Sequence, residues 1–124
     1  MSNKQRAVDF LEMIVKGDID QAYSTYVASN CVHHNAYFPA SIDTLKQGMK
    51  DSHIDMPNKF FEVQRTIEEG DIVVVHSKMK VNKDEVAVGT VIHMCRFDRA
   101  GQVCEFWDIA NFVEDPTVNS NGLF

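Results

Sequence analysis

No apolar run in this sequence approaches the ~20 residues of a bilayer-spanning helix. Cysteine is scarce. Cys31, Cys95 and Cys104 make an odd count with no C-x-x-C pair, which disfavours a disulfide framework and predicts reduced thiols in a cytoplasmic protein. Basic residues are few, 12 Lys and Arg against 18 Asp and Glu, for a formal charge of −6. That excludes the basic stripe with which nucleic-acid binders neutralise phosphates, and it argues equally against docking on anionic lipid. G-x-S-x-G, H-E-x-x-H and a phosphate-cradling glycine loop are missing, and the 6 glycines are scattered. Nothing suggests a nucleotide or nicotinamide cofactor, and the expectation is none. Residues 1–6 lead into an amphipathic pattern containing Asp9 and Glu12, which reads as neither a signal peptide nor a transit peptide.

What remains is 124 residues, 44% hydrophobic and 24% charged, the size and composition of one domain over 1–124 with one core. The first third reads as helices. Ala7, Phe10, Leu11 and Ile14 fall at i, i+3, i+4, i+7, with Ser2 or Asn3 to cap the start and Gly17 to take a left-handed exit. Asp18 and Gln21 have capping-box spacing for a short helix through about Tyr26. Ser41 opens a third helix with Ile42, Leu45 and Met49 on one face, ended by Pro57. Between them, Cys31 to Pro39 is a short strand or extended loop. The rest alternates strands (59–68, 72–81, 86–97, 102–113) with polar turns, and the tail from Glu114 onward is polar until Gly122. Helices followed by an antiparallel meander give an α+β fold with helices on one sheet face.

Side chains on a strand alternate faces. A four-residue last turn centred between Arg99 and Ala100 pairs Cys95 with Cys104, His93 with Phe106 and Val91 with Asp108. The same logic at Asn82–Glu85 pairs Val74 with His93 and His76 with Val91. His76, His93 and Asp108 then share a face with Val74, Val91, Cys104 and Phe106. The opposite face gathers Val75, Ile92, Met94, Trp107 and Ile109, along with Val73 and Met79. An exposed apolar face of that size marks an interface, here a homodimer, unless loops cover it.

Asp108, in mid-strand between Trp107 and Ile109, is the unusual residue, since buried acids must be paired or hydrogen-bonded. An apolar pocket raises a carboxyl pKa toward neutrality, where the group works as general acid or base. His93 or His76 would share its proton or polarise a carbonyl. A purely structural Asp–His hydrogen bond is the competing reading. His33 and His34 cannot both point inward, and one of them faces the cavity. His34, His76, His93 and Asp108 have no metal-motif spacing, so no metal is expected. Cys95 and Cys104 are small cavity-lining residues. Tyr23, Tyr26 and Tyr37 are placed at the core edge with their hydroxyls at water, Tyr37 within reach of the cavity mouth.

Three stretches resemble the SnoaL-like family of the NTF2-like superfamily, relatives of polyketide cyclases and steroid isomerases. Val32-His33-His34-Asn35-Ala36-Tyr37-Phe38-Pro39 is similar to the family's His-Asn-Pro segment, with Ala36 for the usual Pro. Arg96 to Val103 is similar to its final hairpin. Glu105-Phe106-Trp107-Asp108-Ile109 is similar to its Glu-His-Trp-Asp-Val motif, with Phe106 for the His. The ending Asn121-Gly122-Leu123-Phe124 resembles its tail. The resemblance implies a cone: a strongly curved, mainly antiparallel sheet wrapped on N-terminal helices around a pocket, commonly paired as a dimer. It also implies cofactor-free acid/base chemistry of the aldol-condensation type at Asp108 on a small hydrophobic carbonyl compound. His93 is its neighbour-strand partner, and His34 and Asn35 stand at the substrate. A carrier that binds a hydrophobic ligand without turnover is the alternative.

Overall fold

Helix α1 (Asn3–Lys16) starts on a capping box. Ser2 Oγ accepts the Gln5 N–H at 3.2 Å, and Gln5 Oε1 accepts the Ser2 N–H at 2.9 Å, so two orphan donors are satisfied reciprocally. Its stripe of Ala7, Phe10, Leu11 and Ile14 is buried. Gly17 ends it in the left-handed region, φ 89°, with its N–H on Ile14 O (3.1 Å) and the Asp18 N–H on Met13 O (3.0 Å). In α2 (Ile19–Tyr26) the Asp18 side chain makes no cap hydrogen bond, so the capping box expected with Gln21 does not form. Helix α3 (Ile42–Asp55) is capped by Ser41 and buries Leu45.

These helices cover one face of a five-stranded sheet: β1 (Val27–His34), β2 (Phe60–Glu69), β3 (Ile72–Lys80), β4 (Gly89–Phe97) and β5 (Val103–Phe112). The spatial order is β1-β5-β4-β3-β2, antiparallel except for the β1–β5 pair. The computed structural model describes residues 1–113 and 118–124; the first part of the expected polar tail, 114–117, lies outside the described residues. The class is α+β, helices on a mostly antiparallel sheet, as the element order predicts.

The register departs from expectation at both hairpins, with different consequences. Between β3 and β4 pairing stops at Met79↔Gly89, leaving an odd number of residues, 80–88, where an even turn was predicted. A one-residue slip reverses every side chain. His93 therefore pairs with Val75, and Val91 with Ser77. Val73, Val75 and Ser77 are fully buried beneath the helices. Val75 is thus a core residue, not an interface residue, and Val74 and His76 stand on the outer face.

Between β4 and β5 two deviations cancel. The turn is one residue longer than predicted, pairing Phe97 with Val103, and a bulge at Cys104 then brings Arg96 opposite Glu105. Beyond the bulge the parity is restored, so His93 lies directly opposite Asp108, with Cys95 opposite Phe106. Val103, before the bulge, points into the core and is 1% exposed. Cys104 is not across from Cys95 and does not reach the cavity; its Sγ lies 3.5 Å from Arg96 O. All three cysteines are free.

The exit of α1 is a testable constraint. A Cβ on Gly17 would sit 2.5 Å from His53 Nε2 on α3, at a φ that side chains rarely adopt. Gly17→Ala is expected to lower stability by about 1–2 kcal/mol, read as a lower urea midpoint with an unchanged m-value.

Candidate functional site

The sheet and helices enclose a cavity of about 140 Å³. Its walls are largely apolar: Phe10, Leu11 and Ile14 of α1, Leu45 and Met49 of α3, Phe61 of β2, Val91 of β4 and Phe106 of β5. Tyr37 and Phe112, both exposed, stand at its mouth. Phe38 forms another wall, and it does so because residue 48 is glycine: a Cβ there would lie 2.4 Å from the Phe38 ring.

Four polar side chains face this space. Asp108 comes from β5, and His93 from the paired position on β4, with Nε2 3.9 Å from Asp108 Oδ1. That is an electrostatic contact, longer than a hydrogen bond. Asn35, just past β1, donates from Nδ2 to Asp108 Oδ2 at 3.4 Å, while its own Oδ1 accepts the Tyr37 N–H at 2.7 Å and so fixes the loop. The Asp108 side chain is 22% exposed. The fourth group is Lys59, in the connection between α3 and β2, with Nζ 2.8 Å from Ser52 Oγ and 5.7 Å from the Phe61 ring centre.

His93 is sandwiched between aromatic rings. Phe106 stacks on it at 5.8 Å and Phe61 meets it edge-on at 5.1 Å. Burial lowers its pKa, the Asp108 charge opposes that, and Lys59 adds to it; the imidazole is held neutral. Its Nδ1 has no hydrogen-bond partner among the described residues. Burial likewise lowers the Lys59 pKa, with Asp108 pulling the other way. Tyr23, which also lines the cavity, has its phenol pushed up by burial, and secondarily by Cys31 and Asp108.

Of the residues expected at the site, Asp108, His93, Asn35, Tyr37, Val91 and Phe106 line the cavity. His76, Val74, His34 and Cys104 do not. His76 is on the outer face, where Nδ1 accepts from Arg65 (2.9 Å) and Nε2 reaches Thr90 Oγ1 (3.0 Å). His34 also points outward: it pairs with Glu105 at 2.8 Å and stacks on Trp107 at 5.0 Å. Its neighbour His33 is the inward one of the two, buried with Nε2 2.8 Å from Pro39 O, but it is not in the cavity wall. Tyr23 and Tyr26 are buried rather than at the core edge, and the Tyr26 hydroxyl donates to Asp9. Sequence reasoning missed Lys59, which lies just before β2 and is held at the cavity through Ser52 of α3, a non-local contact with no signal in the sequence.

Residues 7–106 match the model of the SnoaL-like domain. The chain belongs to the SnoaL-like family. The matched stretch ends at Phe106, two residues before Asp108. Solved structures with the same NTF2-like fold include a proposed isomerase of the SnoaL-like family from Agrobacterium tumefaciens C58 (8% identity, TM-score 0.73, covering 90% of this chain and 99% of the other). Two proposed polyketide cyclases are similar: one from Acidithiobacillus ferrooxidans (20%, TM-score 0.71, 90% and 92%) and IdmH from Streptomyces antibioticus (17%, TM-score 0.71, 94% and 95%). No curated protein matches the chain. Among the described residues of this SnoaL-like chain no helix is long and apolar enough to cross a membrane, and no group of three or more His, Cys, Asp or Glu is placed to hold a metal.

The buried imidazole makes stability pH-dependent. Between the depressed native pKa of His93 and its ordinary 6.5, the unfolded chain binds a proton that the native chain does not. The contribution of neutral His93 is therefore complete above pH 6.5 and declines as pH falls through that window. Urea midpoints are expected to drop across it, and the His93 ring-proton shifts in NMR to stay flat through pH 6.5.

Proposed function

We propose that this SnoaL-like domain is a cofactor-independent enzyme that moves a proton on carbon beside the carbonyl of a small hydrophobic compound, in an isomerisation or aldol-type reaction. The observation that carries this reading is the Asp108 carboxylate beside a neutral, ring-sandwiched His93 in an otherwise apolar cavity. Asp108 takes the proton from carbon and returns it. Asn35 holds one carboxylate oxygen and leaves the other turned toward His93. Neutral His93 adds no competing positive charge, and its N–H can polarise a carbonyl oxygen. The likeness to proposed cyclases and an isomerase supports the class of chemistry. Cavities of this volume hold about one aromatic ring, so the compound is small or reaches out past Tyr37 and Phe112.

The same face arrangement supports a homodimer. Ile92, Met94, Trp107 and Ile109 lie on the outer sheet face with Val32 and Ile67, and Ile67, Ile109 and Val32 are 55%, 54% and 53% exposed. A second copy packed there would bury this band, and paired copies are the commonest assemblies.

Asp108→Asn should lower turnover by about 10²–10⁴-fold on a panel of β-keto and steroid-like carbonyl compounds. Equal activity in both proteins would end the acid/base assignment, and equal binding with no turnover in either would make the domain a carrier. Trp107→Glu should elute as a monomer beside a dimeric wild type; an unchanged elution volume counts against the interface.

A further inference from the structure

Lys59 is hard to explain as a surface residue. It lines the cavity among Phe61, Met49 and Phe106, on a chain that has more acids than bases. Among the described residues its ammonium makes no salt bridge. Nζ donates to a neutral hydroxyl, Ser52 Oγ at 2.8 Å, and lies 5.7 Å from the centre of the Phe61 ring. Both partners are acceptors that tolerate a cation without neutralising it. Asp108 is close enough to act on Lys59 electrostatically, yet the two make no ion pair. Across the cavity the side chains run Lys59, Phe61, His93, Asp108, each touching the next. An acceptor of protons thus stands at one end and, at the other, an ammonium with no ion-pair partner among the described residues.

We infer that Lys59 is the anion-holding group of this cavity, and that its ligands are compounds whose oxygen is, or on losing a proton becomes, negative: enols of acidic carbonyl compounds such as 1,3-dicarbonyls. This rests on the proton-transfer reading above and completes it. When Asp108 removes a proton from carbon, the electron pair moves into the carbonyl and the charge appears on oxygen. A cation held in a largely apolar cavity stabilises that oxygen better than solvent does. Neutral His93 cannot supply the charge. Burial favours loss of the Lys59 proton while Asp108 favours its retention, and an anionic ligand oxygen would favour retention further.

The test uses 4-nitrophenol, a ring-sized acidic hydroxyl compound whose ionised form is yellow, so that its protonation state is read in the bound complex. In the wild type the ionisation midpoint of the bound probe should lie at least one unit below that in Lys59→Met, about a tenfold stronger preference for the anion. Lys59→Arg should keep the preference. Asp108→Asn, which removes a like charge, should strengthen it. If Lys59→Met does not fold, as judged by circular dichroism, Lys59→Gln takes its place. A role confined to bridging Ser52 would not move the bound probe's midpoint. The same midpoint in the wild type and the neutral variant, or no binding of either form by the wild type, overturns the inference. The turnover of Asp108→Asn is measured separately. Anion preference at Lys59 with no effect of Asp108→Asn on turnover would leave the anion site standing and remove the proton-transfer step.

Discussion

The cross-strand pair of His93 and Asp108 depends on a single constraint, the register of β5 against β4. The bulge at Cys104 sets that register, because it advances β5 by one residue after a turn that is itself one residue long of the simple hairpin. Without the bulge, Asp108 would lie on the outer face and Trp107 beneath the helices. The cavity, its acid and the apolar outer band are consequences of this one irregularity. The helices then decide which face is inside. The Ala7, Phe10, Leu11, Ile14 stripe needs a sheet face to cover, and the face it covers is the one carrying His93 and Asp108.

Charge inside the cavity is arranged by burial as much as by pairing. A carboxylate, an amide, a neutral imidazole and an ammonium share a space whose other walls are hydrocarbon and aromatic rings. In such surroundings an imidazole loses its proton more readily than in water, and an ammonium needs a negative charge nearby to keep its own. His93 Nδ1 is buried there with no hydrogen-bond partner among the described residues.

Much of this was legible in the residues. The helix of 3–16, its cap and its glycine exit follow from periodicity and from Ser2 and Gly17, because those signals are local; the partnership of Gln5 in the cap was not read. The α+β class follows from the order of elements. Asp108, His93, Asn35 and Phe106 were placed at a cavity, and they line one. The failures were non-local. A loop's residue count decides parity, and the polar stretch after β3 does not show on its face whether pairing ends at 79 or 80. His76 and Val74 were lost to that one-residue slip. The adjacent pair His33–His34 had two possible orientations, and the stacking of His34 on Trp107 needs the β1–β5 pairing, which joins segments some seventy positions apart. Lys59 escaped because a lysine at the start of a strand reads as solvated until α3 is seen to lie over it.

Gly48 contributes no side chain, yet it governs the position of one cavity wall. The Phe38 ring occupies the space a methyl group would take on α3. A larger residue there would force the ring to move, while Asp108, His93 and Lys59 belong to other parts of the chain. The shape of the cavity wall and the polar groups that face it are thus encoded in separate parts of the chain, so that one can vary while the other is kept.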